Sequence, residues 1–173
     1  MYPQWMLQKT ESEETSLEEQ LVNELAKHKL TITTAESCTG GMIAGTLINV
    51  AGASDVLNEG YITYSNEAKE RLAGVSHETL ETYGAVSEET AREMAEGAAK
   101  AAGADVGLSS TGIAGPGGGT KEKPVGLVYI GCSVCGRTNV IKCQFTGSRM
   151  ENRIATVEKA LEMALKEINN LAI

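Results

Sequence analysis

Hydrophobic and polar residues alternate along the chain with two different periods, which predict helices and strands in turn. Leu17, Leu21 and Leu25 recur at helical spacing behind Ser16, a good helix cap, so a helix is predicted from Leu17 to near His28. Apolar, β-branched runs bounded by turn residues predict strands over residues 30–34, 60–64, 105–111, 125–135 and 138–145. Further helices are predicted over residues 42–50, after caps at Ser65 and Ser76, over 88–102 and over 149–171.

Strands alternate with helices in the first two thirds of this pattern, and a hairpin closes it. This order is typical of an α/β protein. We therefore predict a single-domain α/β sandwich with a mixed sheet flanked by helices over residues 16–173. Residues 1–15 are polar and acidic after a short apolar start and are predicted to form a loose N-terminal arm. A chain of 173 residues is long enough for one hydrophobic core.

Charge and cysteine content narrow the function classes. A net charge of −8 argues against nucleic acid or an anionic membrane as a partner. No apolar run approaches the ~20 residues that span a bilayer, and no secretion signal is visible, so a cytoplasmic protein is expected. Cys132 and Cys135 are spaced as Cys-x-x-Cys but fall in a predicted strand, where they would point to opposite faces. Buried free thiols and no metal site are predicted.

The junction over residues 33–41 joins a strand to a helix through small and hydroxylic residues. The first N–H groups of a helix have no partner within the helix and carry its positive dipole end, so this junction is expected to bind an anion or an oxyanion. Ser37 would lie beside those donors and is the candidate nucleophile. Cys38 is the neighbouring rival, because a thiolate is favoured at a helix start.

A serine nucleophile needs a base, and the chain offers few. The two histidines, His28 and His77, are placed at the ends of predicted surface helices, which argues against a Ser-His-Asp triad. Lys69 lies one turn into a predicted helix, and Tyr64 lies at a strand end. Strand ends on one edge of a sheet could bring Ser37 and Tyr64 together with Lys69 nearby.

Both partners have plainer interpretations from spacing alone. Lys69 could be a surface lysine paired with Glu67 or Glu70, and Tyr64 could be a core aromatic. If Lys69 is a base, desolvation or a nearby positive charge must lower its pKa. Whether it would act directly or through Tyr64 is left open.

Two later segments could contribute to a ligand site. The glycine-rich run over residues 111–120 matches neither a dinucleotide fingerprint nor a P-loop, and a long hairpin connection would have the same pattern. Gly147-Ser148-Arg149 opens the last predicted helix, where Arg149 or Arg153 could bind a phosphate; an ordinary solvated helix face is the alternative.

Five segments together resemble the CinA C-terminal domain family: residues 34–41 (TAESCTGG), 64–69 (YSNEAK), 84–88 (GAVSE), 111–116 (TGIAGP) and 123–126 (KPVG). The similarity extends from about residue 17 to the C-terminus, with the motifs in the family's order. Members of that family act as nicotinamide-nucleotide amidases. The larger N-terminal domain of full-length CinA proteins is missing from the sequence, so it resembles the stand-alone amidase form.

The resemblance implies hydrolysis of nicotinamide mononucleotide to nicotinic acid mononucleotide and ammonia, with no metal or organic cofactor. It implies Ser37 as nucleophile, Lys69 and Tyr64 as its companions, Thr111 as a site residue and Arg149 as a phosphate contact. Backbone N–H groups near the nucleophile would bind the oxyanion. The predicted substrate-binding residues are Cys38, Thr39, Gly40, Gly41, Thr111, Gly112 and Arg149.

Two other functions remain open from the sequence. The chain could be a non-hydrolytic nucleotide- or phosphate-binding module that acts through a partner, or an enzyme that uses Cys38. A homo-oligomer, dimer or higher, is also predicted, because helices rich in alanine and glycine suit close packing between subunits.

Overall fold

Five strands form one mixed sheet in the order β2-β1-β3-β4-β5 in the computed structural model, which describes residues 15–171. β1 (Ile32–Glu36) lies parallel to β2 (Tyr61–Ile62) and to β3 (Val106–Gly112). β4 (Leu127–Val134) and β5 (Arg137–Gln144) follow in antiparallel order. The parallel part comes from the alternating segments and the antiparallel part from the hairpin, so the predicted single-domain α/β fold with a mixed sheet is confirmed.

Helices cover both faces of this sheet. They are α1 (Leu17–His28), α2 (Met42–Leu47), α3 (Asn66–Ala73), α4 (His77–Tyr83), α5 (Glu88–Ala102) and α6 (Arg149–Asn169). One apolar cluster joins the sheet to α1, α2 and α6, and a second, smaller one joins it to α3, α4 and α5. Successive residues of a strand point to opposite faces, so Ile32 packs in the first cluster and Ala35 in the second. Glu36 and Ser37 therefore leave the end of β1 toward different helical layers.

The α5 helix packs very closely on the sheet because small residues face it. A Cβ atom at Gly107 would lie 2.0 Å from the Ala95 carbonyl oxygen, and one at Gly131 would lie 2.5 Å from that of Ala91. Only glycine permits this approach of helix backbone to strand backbone. The small residues of α5 are thus used for packing within the chain. They do not support the predicted homo-oligomer, which stays a prediction.

Three predicted elements are each three residues shorter than expected, and one of them is β4, which spans Leu127–Val134 of the predicted residues 125–135. The helix predicted over residues 42–50 ends at Leu47, because Asn49 and Val50 donate to carbonyls three residues back and tighten the chain into turns. The second strand keeps only Tyr61 and Ile62 of the predicted residues 60–64. The serine caps of α1, α3, α4 and α5 are confirmed.

The four cysteines are free thiols, but the prediction that they are buried holds only for Cys38 and Cys132, since Cys143 is half-buried and Cys135 is exposed. Cys132 is buried on β4, whereas Cys135 is exposed in the hairpin turn at φ 48°. Apart from residue 15, the predicted N-terminal arm lies outside the described residues. No helix within residues 15–171 is long and apolar enough to cross a membrane.

Candidate active site

Ser37 is the first residue after β1 and opens the turn that leads into α2. Its N–H donates to the Ser110 carbonyl at 2.9 Å, which extends the pairing of β1 with β3 by one step. Gly40 and Gly41 follow with φ values of 58° and 94°, a conformation that favours glycine. These glycines turn the chain sharply from strand to helix and leave Ser37 at the carboxyl edge of the sheet.

Lys69 reaches Ser37 from α3, the helix that follows the neighbouring strand β2. Ser65 caps this helix by accepting from the Ala68 N–H at 3.1 Å, and Lys69 then points inward with only 1% of its surface exposed. Its Nζ lies 3.2 Å from Ser37 Oγ and donates to the Thr63 carbonyl at 2.8 Å. The structure therefore brings the predicted nucleophile and the predicted base into direct contact.

The surroundings of Lys69 favour its uncharged form. Within residues 15–171 no carboxylate lies within 4 Å of its amine, and Glu70, one of the surface partners considered from the sequence, pairs with His77 instead. Burial lowers the pKa of Lys69 below its ordinary value, with a small opposing effect from Cys38. A buried amine without a counter-charge suits a general base.

Tyr64 lies on the opposite side of the site and is 64% exposed. Its hydroxyl accepts from Arg149 Nη2 at 3.2 Å, and Arg149 Nη1 donates to the Gly115 carbonyl at 2.8 Å. Among the described residues Tyr64 makes no hydrogen bond to Ser37 or Lys69. Lys69 therefore contacts Ser37 directly, and Tyr64 does not bridge the two side chains.

These side chains surround a cavity of about 290 Å³. Seven of the ten predicted site residues line it: Ser37, Cys38, Tyr64, Lys69, Thr111, Gly112 and Arg149. Sequence reasoning did not assign Asn66, Ala85 or Val86 to the site, and all three line it too. The glycine-rich run, considered from the sequence only as a possible contributor, lines it through Ile113, Ala114, Gly115, Gly117 and Gly118. Asn66 and the Ala85-Val86 pair stood inside the quoted motifs, but only the folded chain shows that the loop before α5 reaches the carboxyl edge of β3.

Thr39, Gly40 and Gly41 do not line the cavity, because the start of α2 is already occupied by a carboxylate. Glu36 is fully buried, and its carboxylate accepts from the N–H groups of Gly41, Ile43 and Ala44 at 2.9–3.0 Å and from Thr39 Oγ1 at 2.6 Å. The expected free helix terminus is therefore absent at α2. The signal for this arrangement was the glutamate directly before Ser37, which strand alternation sends to the α2 face.

Backbone donors nevertheless remain beside Ser37. In the described part of the chain the N–H groups of Cys38, Thr39 and Gly40 have no protein acceptor. Arg153 holds this turn from outside, because its Nε donates to the Cys38 carbonyl and its Nη2 to the Thr39 carbonyl, both at 3.0 Å. Arg153, considered from the sequence as a phosphate ligand, instead fixes the turn that presents these N–H groups.

Thr111 and Gly112, two of the predicted site residues, have structural roles in the cavity wall. Thr111 Oγ1 donates to the Ala85 carbonyl at 2.6 Å and so ties the loop before α5 to the cavity wall. A Cβ atom at Gly112 would lie 2.6 Å from Val128 Cγ2, so only glycine fits there. Thr111 therefore positions a wall of the cavity, and its hydroxyl is not a free donor.

The Cys38 thiol is directed into the hydrophobic core and is 6% exposed. Burial raises the pKa of Cys38 to about 11, so the thiol is protonated near neutral pH. This environment disfavours it as a rival nucleophile to Ser37. Within residues 15–171 no group of three or more His, Cys, Asp or Glu side chains is arranged to hold a metal ion.

Comparison with known proteins gives consistent matches. The family model for the CinA C-terminal domain matches residues 14–168. Similar proteins include a CinA-like protein of Kosmotoga olearia, 58% identical over 155 residues, and a competence-damage inducible protein of Clostridium acetobutylicum, 55% identical over 158 residues. The matches cover 90% and 91% of this chain, which spans only 38% of the length of either relative.

Solved structures have the same fold over most of this chain. The competence/damage inducible protein CihA from Agrobacterium tumefaciens has a TM-score of 0.85 at 43% identity, covering 93% of this chain and 100% of that one. A CinA superfamily protein from Klebsiella pneumoniae has the same TM-score at 33% identity, covering 88% and 96%.

Proposed function

Because the chain belongs to the CinA C-terminal domain family, we propose that it is an amidohydrolase that converts nicotinamide mononucleotide and water to nicotinic acid mononucleotide and ammonia. The observation that carries this proposal is the 3.2 Å contact between Ser37 Oγ and the buried amine of Lys69. A hydroxyl beside an amine whose pKa is lowered by burial can be activated as a nucleophile. The unpaired backbone donors beside Ser37 suit the oxyanion of acyl transfer.

The reaction proceeds in two halves around Ser37. Its oxygen attacks the carboxamide carbon while Lys69 takes the hydroxyl proton, and the N–H group of Cys38, the residue of this turn that lines the cavity beside Ser37, stabilises the oxyanion. Protonated Lys69 then delivers its proton to the leaving amine, which departs as ammonia. Water, deprotonated by the same amine, attacks the ester carbon, and the amine returns that proton to Ser37 Oγ as the C–Oγ bond breaks and the acid product leaves. Losing one oxyanion donor in comparable sites costs ~3–4 kcal/mol, so this backbone group matters as much as the base.

The opposite wall of the cavity supports an anionic substrate. Arg149 brings a guanidinium to the mouth of the site in a chain whose net charge is −8. Two of its donors hold Gly115 and Tyr64, and a guanidinium has five N–H groups, so further donors remain for a phosphate. A cavity of about 290 Å³ lies at the lower end of the usual range for small-molecule sites. Charge and size together fit a mononucleotide.

Release of ammonia from nicotinamide mononucleotide tests this function, with a pair of adjacent substitutions as matched variants. We expect Ser37→Ala to lower kcat by ~10³-fold or more and Cys38→Ala to leave it within about threefold, because the Ser37 hydroxyl contacts the Lys69 amine whereas the Cys38 thiol packs in the hydrophobic core. A panel of other nucleotide amides defines the preference.

Two results would count against the proposal. Tight binding of the nucleotide by the intact protein without ammonia release would support a non-hydrolytic binding module instead. Loss of activity in Cys38→Ala, with activity spared in Ser37→Ala, would indicate a cysteine enzyme.

A further inference from the structure

Thr63 is a fully buried residue beside Ser37 whose hydroxyl has no hydrogen-bond partner within residues 15–171. Its N–H donates to the Glu36 carbonyl at 2.8 Å, which continues the parallel pairing of β1 with β2 one step beyond Glu36 and Ile62. Neighbouring residues of paired strands carry their side chains on the same face, so the Thr63 side chain lies on the face of Ser37. A buried hydroxyl without a partner lowers stability and calls for an explanation.

In the part of the chain that the structure describes, the amine of Lys69 lacks a third acceptor, whereas the Thr63 hydroxyl lacks a donor. A neutral amine has two N–H donors and one lone pair, whereas an ammonium has three donors. Lys69 Nζ contacts the Thr63 carbonyl and Ser37 Oγ, and no third acceptor among the described residues. When the lone pair takes the proton of Ser37, the new ammonium therefore has one N–H group more than it has acceptors.

We propose that Thr63 is a positioning residue for Lys69. Its carbonyl holds the amine against Ser37, and its hydroxyl accepts the third N–H once the amine has taken the serine proton. In this step the Ser37 O–H bond breaks, an N–H bond forms on Nζ, and the freed oxygen pair forms the bond to the carboxamide carbon. Rotation about one staggered side-chain torsion redirects Thr63 Oγ1. The consequence for catalysis rests on the proposed amidase function.

The ionisable groups around Lys69 can be named, so a change in its titration when only Thr63 is substituted can be assigned to that residue. Cys38, Tyr64 and Arg149 share its cavity, and Glu93 on α5 is bonded to the start of α4. Of these groups only Cys38 shifts the pKa of Lys69, and its effect is smaller than that of burial.

The chain supplies a matched control at Thr138 on β5. Its hydroxyl is also buried without a partner in the described part of the chain, and its carbonyl also accepts from a cation, Arg92 Nη1 at 2.8 Å. Thr138 does not line the cavity. Thr63→Val and Thr138→Val thus remove equivalent hydroxyls, one beside the amine and one away from it. Thr63→Ser keeps the hydroxyl at the first position.

The test follows the Lys69 amine by NMR titration of its ¹³Cε signal in the intact protein, with Lys69→Met as the assignment variant. We expect Thr63→Val to lower the pKa of Lys69 by about one unit, because a hydrogen bond to a charged group is lost. The kcat on nicotinamide mononucleotide should fall about tenfold without a drop in Tm. Thr63→Ser and Thr138→Val should both keep the Lys69 titration and kcat of the unmodified protein.

Two results would overturn the proposal. One is a Thr63→Val protein in which Lys69 titrates as in the unmodified protein. The other is a Thr63→Val protein that melts several degrees below Thr138→Val, since its hydroxyl would then have a partner in the resting protein. The titration needs no substrate, so a protein that fails to hydrolyse the nucleotide would refute the amidase function while the titration still decides the role of Thr63.

Discussion

Two buried charged residues, Glu36 and Lys69, flank Ser37 on opposite faces of the sheet, and their surroundings differ. The Glu36 carboxylate accepts four hydrogen bonds from α2 and the turn before it. The Lys69 amine contacts only a carbonyl and a hydroxyl, both uncharged. Both side chains are at most 1% exposed, so the contrast lies in their partners and not in their burial.

The difference indicates which group is structural and which is reactive. A buried carboxylate that accepts four hydrogen bonds holds α2 against β1. A buried amine without a carboxylate is shifted toward its neutral form, which can accept a proton. The end of β1 therefore has a structural side, where Glu36 lies, and a reactive side, where Ser37 and Lys69 lie.

The largest expected effect is on the reactive side. Lys69→Met removes the amine and keeps much of the side-chain volume, so kcat should fall by ~10³-fold or more while Tm stays equal or rises. Steady-state ammonia release and thermal unfolding measure the two quantities on one preparation. Lys159→Met, at an exposed lysine paired with Glu162 on α6, is the control. Full activity in Lys69→Met would show that Lys69 is not the reactive group.

The structural side should respond in stability. Glu36→Gln keeps the shape but loses the charge that accepts four donors, and we expect the free energy of unfolding to fall by ~3 kcal/mol. Denaturant unfolding measures this loss. Glu158→Gln, at an exposed position of α6, should change it by less than ~0.5 kcal/mol. Equal stability of the two variants would show that Glu36 is not the anchor of this turn.

The pH dependence of kcat/KM gives the smallest of the expected effects and tests whether Lys69 is the base. If neutral Lys69 is the base, kcat/KM rises about tenfold per pH unit below the pKa of Lys69 and then levels off. Burial lowers that pKa, so the plateau should begin below the ordinary value of 10.5. Cys38, with a pKa of about 11, titrates above this range and cannot produce the same limb. An activity that rises only through pH 10.5 or above would contradict a shifted lysine base.

Local signals in the sequence predicted most of the elements correctly. The serine caps before α1, α3, α4 and α5 each bind a backbone N–H three residues ahead, a contact that depends on a few consecutive residues only. The last helix was predicted to begin at Arg149, and it does, behind a capping box at Ser148 and Glu151. The early end of α2 at Leu47 lies where turn hydrogen bonds from Asn49 and Val50 replace the helical ones.

The candidate site was predictable only in part. The family motifs brought together Ser37, Lys69, Tyr64, Thr111 and Arg149, all of which line one cavity. Thr39, Gly40 and Gly41 were placed in the site because their helix start was expected to be free. The buried Glu36 carboxylate occupies that start, and burial of a charge among donors depends on how layers stack, which residue spacing does not contain.

By itself the sequence determined most of the elements, their caps and the strand-to-helix junction that presents Ser37, because each depends on contacts within a few residues. The order of the elements also indicated a mixed sheet, although its strand pairing joins distant residues. Only the tertiary structure decided that Lys69 touches Ser37 directly, that Tyr64 turns to Arg149, and that Glu36 closes the start of α2. Those outcomes join residues from different strands and helices. Their distances, and the desolvation that lowers the pKa of one lysine, exist only once the helical layers have packed on the sheet.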